Sequence, residues 1–210
     1  MEPIRQITGM VLKIALGLGI FLIILCSLFP EAILRFFTSD TAILSEAGSY
    51  LQIIKYTFLL YLVTQVLLSA LRSVETVRIA FVISCVSLVV NVSINYTLIY
   101  GRFGFPELGI QGAAIGTMIS RCLEFFIVFI YVIKTDKKLK LFSDKAVLHI
   151  DKLLRSDYIK VAVPVFVSGM LWAISVPMQT AILGHLSSDA IAANSVASTF
   201  YQYMKVVVLA

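Results

Sequence analysis

Two amides one helical turn apart, Asn91 and Asn95, stand in an otherwise apolar run over residues 84–100. An amide supplies both an acceptor and donors, so the pair can hydrogen-bond an organic solute or ligate Na+, but it cannot titrate. At 100° per residue Ser84, Ser87, Asn91 and Asn95 fall within an arc of about 80°, which makes one face of this segment polar. Further on, Arg121 and Glu124 form the one opposite-sign pair deep in an apolar stretch, at a spacing that lets them meet on one helix face. Such a pair either offsets its own desolvation as a structural ion pair or serves as a gate or coupling element.

Three more polar faces recur at helical spacing: Thr57, Tyr61, Thr64 and Gln65; Ser168, Trp172, Ser175 and Gln179; and Asn194, Ser198, Tyr201 and Lys205. Polar groups inside a bilayer are costly and turn toward a bundle interior or a water-filled cavity, which makes them candidates for a transport path. Ordinary interhelical hydrogen bonding is the alternative for any single Ser or Thr. Trp172, Met170, Met178 and Tyr201 can stack on a flat organic cation or simply fill a core, and Lys205 is expected to snorkel to the membrane surface. His149 and His185 have no carboxylate or Cys at ligand spacing, so no metal site is read. Cys26, Cys85 and Cys122 all lie in apolar runs and read as packing residues. Gly101, Gly104, Gly109, Gly112 and Gly116 lack the Lys-Ser or Lys-Thr that follows a phosphate loop; no ATP site, cofactor site or catalytic triad is read.

The elements that must position these residues are membrane helices. Of the 210 residues 60% are hydrophobic and 14% charged, and mean hydropathy is +0.96, too apolar for an ordinary soluble domain. The net charge of +5 sits at the ends of apolar segments without an aromatic platform, which points to a bilayer and away from nucleic acid. Six segments are long enough to span, near 8–29, 48–71, 77–100, 108–133, 159–184 and 190–210, and the last runs to the chain's end as if cut within a helix. Within the fourth, Gly112, Gly116 and Ser120 recur every four residues, the small-residue pattern that lets helix backbones approach. Pro164 and Pro177 should bend the fifth.

With the N-terminus in the cytoplasm, twelve basic residues flank the inner ends (Arg5, Lys13, Arg72, Arg78, Lys134, Lys137, Lys138, Lys140, Lys145, Lys152, Arg155, Lys160) and three the outer (Arg35, Lys55, Arg102). The positive-inside rule therefore sets a cytoplasmic N-terminus. The division that follows is four helices over 1–134, a basic cytoplasmic linker over 135–158 and two helices over 159–210. Residues 145–160 alternate apolar and charged positions and read as a helix on the membrane surface.

The stretch from Leu98 to Thr117, L-I-Y-G-R-F-G-F-P-E-L-G-I-Q-G-A-A-I-G-T, resembles the signature joining the fifth and sixth helices of the multidrug and toxin extrusion (MATE) transporters. I-L-G-H-L-S-S-D-A-I-A-A-N-S-V-A-S, over 182–198, is similar to the turn after that family's seventh helix, whereas the first 75 residues fit by hydropathy and a loose pattern only. The resemblance implies an all-α integral membrane fold of twelve helices in two lobes, of which this chain holds the third to the eighth. It implies a secondary antiporter exporting organic cations or other amphiphilic drugs in exchange for H+ or Na+, located in the bacterial inner membrane and completed by the missing helices. In proton-coupled members similar to this one, the fifth helix carries an Asn and an Asp one turn apart beside a Thr of the sixth. Asn91 and Thr117 keep that pattern, while Asn95 replaces the ionisable member with an amide. A Glu found in the seventh helix of Na+-coupled members aligns near Trp172, which is no acid, so the coupling ion stays open. Expected lining residues are Asn91, Asn95, Thr117, Trp172 and Gln179, with Arg121 and Glu124 as a structural or coupling pair. A lipid-linked oligosaccharide flippase of the same superfamily is the rival transporter reading, and a truncated piece without activity of its own is a third. An intramembrane enzyme would need spaced acids or histidines, and Glu124 is the only such residue within the spans.

Overall fold

The computed structural model describes residues 2–74, 76–134 and 152–209, and every described element is helical. In chain order they are α1 (Glu2–Leu28), α2 (Pro30–Arg35), α3 (Thr41–Ile54), α4 (Thr57–Ser73), α5 (Val77–Ile99), α6 (Gly109–Lys134), α7 (Lys152–Leu186) and α8 (Ser188–Leu209). By length and composition α1, α5, α6 and α7 can each cross a bilayer, and α3 with α4 makes a fifth, broken span.

That broken span differs from the straight helix expected over 48–71. The axis bends by 51° between Ile54 and Thr57, and the helix begins earlier, at Thr41. Thr57 explains part of the break: its hydroxyl donates to the Ile54 carbonyl at 2.7 Å, while the Lys55 ammonium lies 5.2 Å from the Tyr56 ring centre. Thr57 therefore serves the bend and not a polar path. At the other end Asp40 caps α3, its carboxylate accepting from the Ala42 amide at 2.9 Å. The sixth expected span is helical as α8, yet it is not among the helices apolar enough to cross, because Asp189, Asn194, Ser195, Ser198, Thr199 and Gln202 dilute it. Residues 135–151 of the expected linker lie outside the described residues, and the expected surface segment from Lys152 onward is the start of α7, continuous through Pro164 and Pro177.

The chain divides into two compact units. The first comprises Met1–Pro30 and Gly48–Lys160. Here α4 is the central helix, packed on α1, α5 and α6, and α5 packs on α6 along its length. Val63, Leu67, Leu68 and Leu71 of α4 meet Ala80 and Ile83 of α5 and Val128 and Val132 of α6 in its core. The outward face of α5 (Phe81, Val82, Leu88, Val89, Val92) is exposed and apolar, as a lipid-facing surface must be. Between α5 and α6 the chain turns back through three glycines at positive φ, Gly101 (60°), Gly104 (82°) and Gly109 (52°). The Leu108 amide closes this turn onto the Leu98 carbonyl at 2.9 Å. At Gly101 a side chain would also meet the backbone of Glu107, with its nitrogen at 3.0 Å, so the glycine is required twice over.

The second unit comprises Glu31–Ala47 and Val161–Ala210. Within it, the backbone at Gly184 of α7 lies so close to the Phe37 carbonyl that no Cβ would fit between them, and Gln179 of α7 donates to the Asn194 amide oxygen of α8 at 3.5 Å.

Candidate functional site

The polar faces of α4, α5 and α6 converge on one cleft of about 590 Å³, lined by Tyr61 and Gln65, by Ser84, Ser87, Leu88 and Asn91, and by Thr117, Ser120, Arg121 and Glu124. Its volume falls within the range that holds drug-sized molecules. The close approach of α5 and α6 is what brings the walls together. At Gly112 a Cβ would lie 2.8 Å from the carbonyl carbon and oxygen of Leu98, so the two backbones are in direct contact there. One turn on, Gly116 leaves the space that the Asn95 amide fills. A third small residue, Ser120, accepts the Ser87 hydroxyl on its carbonyl at 3.4 Å. The expected small-residue seam is thus the joint of the site.

The charged pair lies on the cleft wall. The Arg121 guanidinium donates to Glu124 at 2.5 Å, and Glu124 is 3% exposed against 35% for Arg121. Removing one partner of a buried ion pair costs about 3–5 kcal/mol, so the guanidinium offsets the burial of the Glu124 side chain. Arg121 also lies over the Tyr61 ring, 5.0 Å from its centre, which ties α6 to α4 through a cation–π contact. Charge, aromatic face and amides therefore share one wall.

Of the expected lining residues, Asn91 and Thr117 face this cleft together with Arg121 and Glu124. Asn95 stands behind it: its amide nitrogen donates to the Asn91 oxygen at 3.2 Å, and its own oxygen is buried without a partner. That contact fixes the orientation of Asn91 toward the cleft. The Thr117 hydroxyl is occupied by the Ala113 carbonyl at 2.9 Å, which leaves its lone pairs and methyl for the cleft. Gln179 and Trp172 belong to the second unit, where Gln179 lines a small groove with Ser175, Met178, Ile182 and Leu183 and Trp172 is 70% exposed. Thr64, expected on the polar face, is buried in the core with its hydroxyl oxygen unpartnered. Cys85 is exposed on α5 and does not pack, in contrast to the buried Cys26. The side chains of His149, His185 and Lys205 lie outside the described residues, and among those described no three His, Cys, Asp or Glu side chains converge as a metal site would require.

Sequence reasoning missed the Tyr61–Arg121 contact. Both residues were singled out, on different helices, but nothing in the spacing of either helix says that they meet. It also missed Gly19, whose absent side chain lets α1 close onto Leu59 of α4, with the Leu59 Cα at 2.9 Å from where a Cβ would be. The signal was there, a glycine at the centre of a long apolar helix.

Apolar helices packed by small residues around one polar, partly charged cleft define a multi-span α-helical membrane protein. The MatE family model matches residues 1–97. Residues 1–97 thus match the multidrug and toxin extrusion family, a family of transporters and not of enzymes. It is 28% identical over 207 residues to the probable multidrug resistance protein YoeA of Bacillus subtilis, a match covering 97% of this chain and 44% of that protein. It is 38% identical over 88 residues to the probable multidrug resistance protein NorM of Rhizobium meliloti (42% of this chain, 19% of that one). To the multidrug resistance protein NorM of Vibrio cholerae it is 26% identical over 137 residues (65% and 29%). The chain thus spans less than half the length of these relatives. The family match takes in the first 75 residues, which fit by hydropathy and a loose pattern only.

Proposed function

We propose that the chain forms part of a secondary antiporter that exports organic cations or other amphiphilic drugs across the bacterial inner membrane in exchange for H+ or Na+. The observation that carries this reading is the cleft itself, where the Tyr61 ring, the Asn91 amide and the Glu124 carboxylate line one drug-sized space between membrane helices. An aromatic face and a carboxylate are the groups that recognise a flat cation. The family match and the multidrug resistance relatives support the same class. In this reading the N-terminus is cytoplasmic, 1–134 belongs to the first lobe, 135–158 is the linker, 159–210 begins the second lobe, and further helices complete the path. Gln179 and Trp172 then contribute from the second lobe. Arg121, the one basic side chain lining the cleft, is paired with Glu124, which favours drug export over the strongly cationic cavity that a flippase of anionic lipid-linked sugars requires.

The reading is tested by efflux of ethidium from cells producing this chain, beside a chain completed to twelve helices with the corresponding segments of the Bacillus subtilis relative. Efflux from the completed chain, lost on removing the ion gradient, is the expected result. No efflux from either, with both proteins present in the membrane, would contradict drug export.

A further inference from the structure

The side of α5 turned away from α6 ends in aromatic rings. At 100° per residue Val89, Val92, Tyr96 and Tyr100 fall within an arc of about 80°, opposite Ser87, Ile94 and Leu98, which meet α6 at its small-residue seam. All four side chains of the stripe are exposed, and Tyr96 and Tyr100 hold their ring centres 5.6 Å apart. The hydroxyls beside the stripe are satisfied within the helix: Ser93 donates to the Val89 carbonyl at 2.8 Å and Thr97 to the Ser93 carbonyl at 2.9 Å. A face that keeps its polar hydrogens on its own backbone is suited to hydrocarbon. From Arg78 at the other end of α5 to Tyr96 the helix rises about 27 Å, close to the ~30 Å of a bilayer's hydrocarbon core.

The turn that follows continues the aromatic run. Phe103 has φ 57° and ψ 28°, the left-handed region in which a bulky residue is strained and glycine is at ease. Its ring is nevertheless 85% exposed, so packing within the described residues offsets little of that strain. Phe105, two residues on, is exposed as well.

We infer that the turn between α5 and α6 is an anchor seated in the phospholipid interface, with Tyr96 and Tyr100 at the hydrocarbon rim and the Phe103 ring as its inserted tip. Tyrosine suits the rim because its ring is apolar and its hydroxyl reaches water and headgroups. A phenylalanine ring enters the boundary between headgroups and acyl chains, where burial from water offsets the strained backbone that carries it. Arg102, beside the ring, supplies the cation that headgroup phosphates attract. The anchor sets the depth of α5, and with it the depth of Ser84, Ser87 and Asn91 on the cleft wall. It does not depend on what the cleft binds.

Trp172 is the single tryptophan of the chain, so Trp172→Phe gives a background in which one introduced tryptophan reports its own depth. Phe103→Trp on the turn and Val89→Trp at mid-helix are compared in nanodiscs of phospholipid brominated either close to the headgroup or near the end of the acyl chain. Phe103→Trp should emit to the blue of tryptophan in water and be quenched more strongly by the shallow bromines, and Val89→Trp more strongly by the deep ones. Phe105→Trp, expected to follow the shallow pattern, serves as the second probe of the turn should Phe103→Trp fail to fold. Water-like emission quenched by neither lipid would place the turn outside the membrane and overturn the inference. Blue-shifted emission quenched by neither would mean that protein covers the ring, and stronger quenching by the deep bromines would put the turn in the hydrocarbon; either result overturns it too.

Discussion

Replacing Gly112 by Ala should separate α5 from α6 and lower stability by about 1–3 kcal/mol, the usual cost of forcing extra volume into a packed contact. The new Cβ would meet backbone, the Leu98 carbonyl at 2.8 Å, and backbone cannot swing aside as a side-chain end can. Gly116→Ala is the instructive comparison. There the nearest atom is the Asn95 side-chain oxygen, so the amide can turn away at the loss of its hydrogen bond to Asn91, about 1 kcal/mol. Gly17→Ala, with nothing within 4 Å of the new Cβ, should be neutral or slightly stabilising through helix propensity. Thermal unfolding of the three variants in one detergent gives the order. A smaller loss for Gly112 than for Gly116 would mean that α5 and α6 are not in backbone contact at this seam.

The second large effect is expected at the ion pair, and it is asymmetric. Arg121→Ala leaves the Glu124 carboxylate, 3% exposed, without its counter-charge and should cost on the order of 3–5 kcal/mol at neutral pH. Glu124→Gln leaves a guanidinium that is 35% exposed, still stacked on Tyr61 and still able to donate to the new amide oxygen. Its cost should be nearer 1–2 kcal/mol, that of a weakened hydrogen bond. The stability difference between the two variants, again by thermal unfolding at neutral pH, is the quantity to compare. Equal losses would mean that the pair matters only as packing, and a larger loss for Glu124→Gln would show that Arg121 is the group that depends on its partner.

The seam and the pair were legible in the sequence for a physical reason. Close backbone approach admits only small residues, so Gly112, Gly116 and Ser120 announce it by spacing, and an i, i+3 pair meets within its own helix whatever the tertiary fold. Cross-helix partners carry no such local signal. The Tyr61–Arg121 contact and the placement of Asn95 against Gly116, behind the cleft, depend on how α4, α5 and α6 are rotated about their axes. The polar arc on α5 was found correctly as a set, yet only Ser84, Ser87 and Asn91 of its four members reach the cleft. The bend between α3 and α4 falls inside the single span expected over 48–71, and α3 begins before that span, at Thr41. Over the sixth expected span the helical pattern is present as α8, whose polar residues make it less apolar than α1, α5, α6 and α7.

In the proposed function an organic cation occupies the cleft between α4, α5 and α6. This occupancy is tested most directly by ethidium binding to the purified chain in nanodiscs, comparing the natural chain with the double variant Asn91→Leu, Thr117→Val and with Val92→Ala, a change on the exposed outer face of α5. Loss of the two polar lining groups should weaken binding by about tenfold or more, equivalent to roughly 1.4 kcal/mol, while the outer-face variant binds like the natural chain. Equal affinities in all three proteins would place the cation elsewhere and contradict the account.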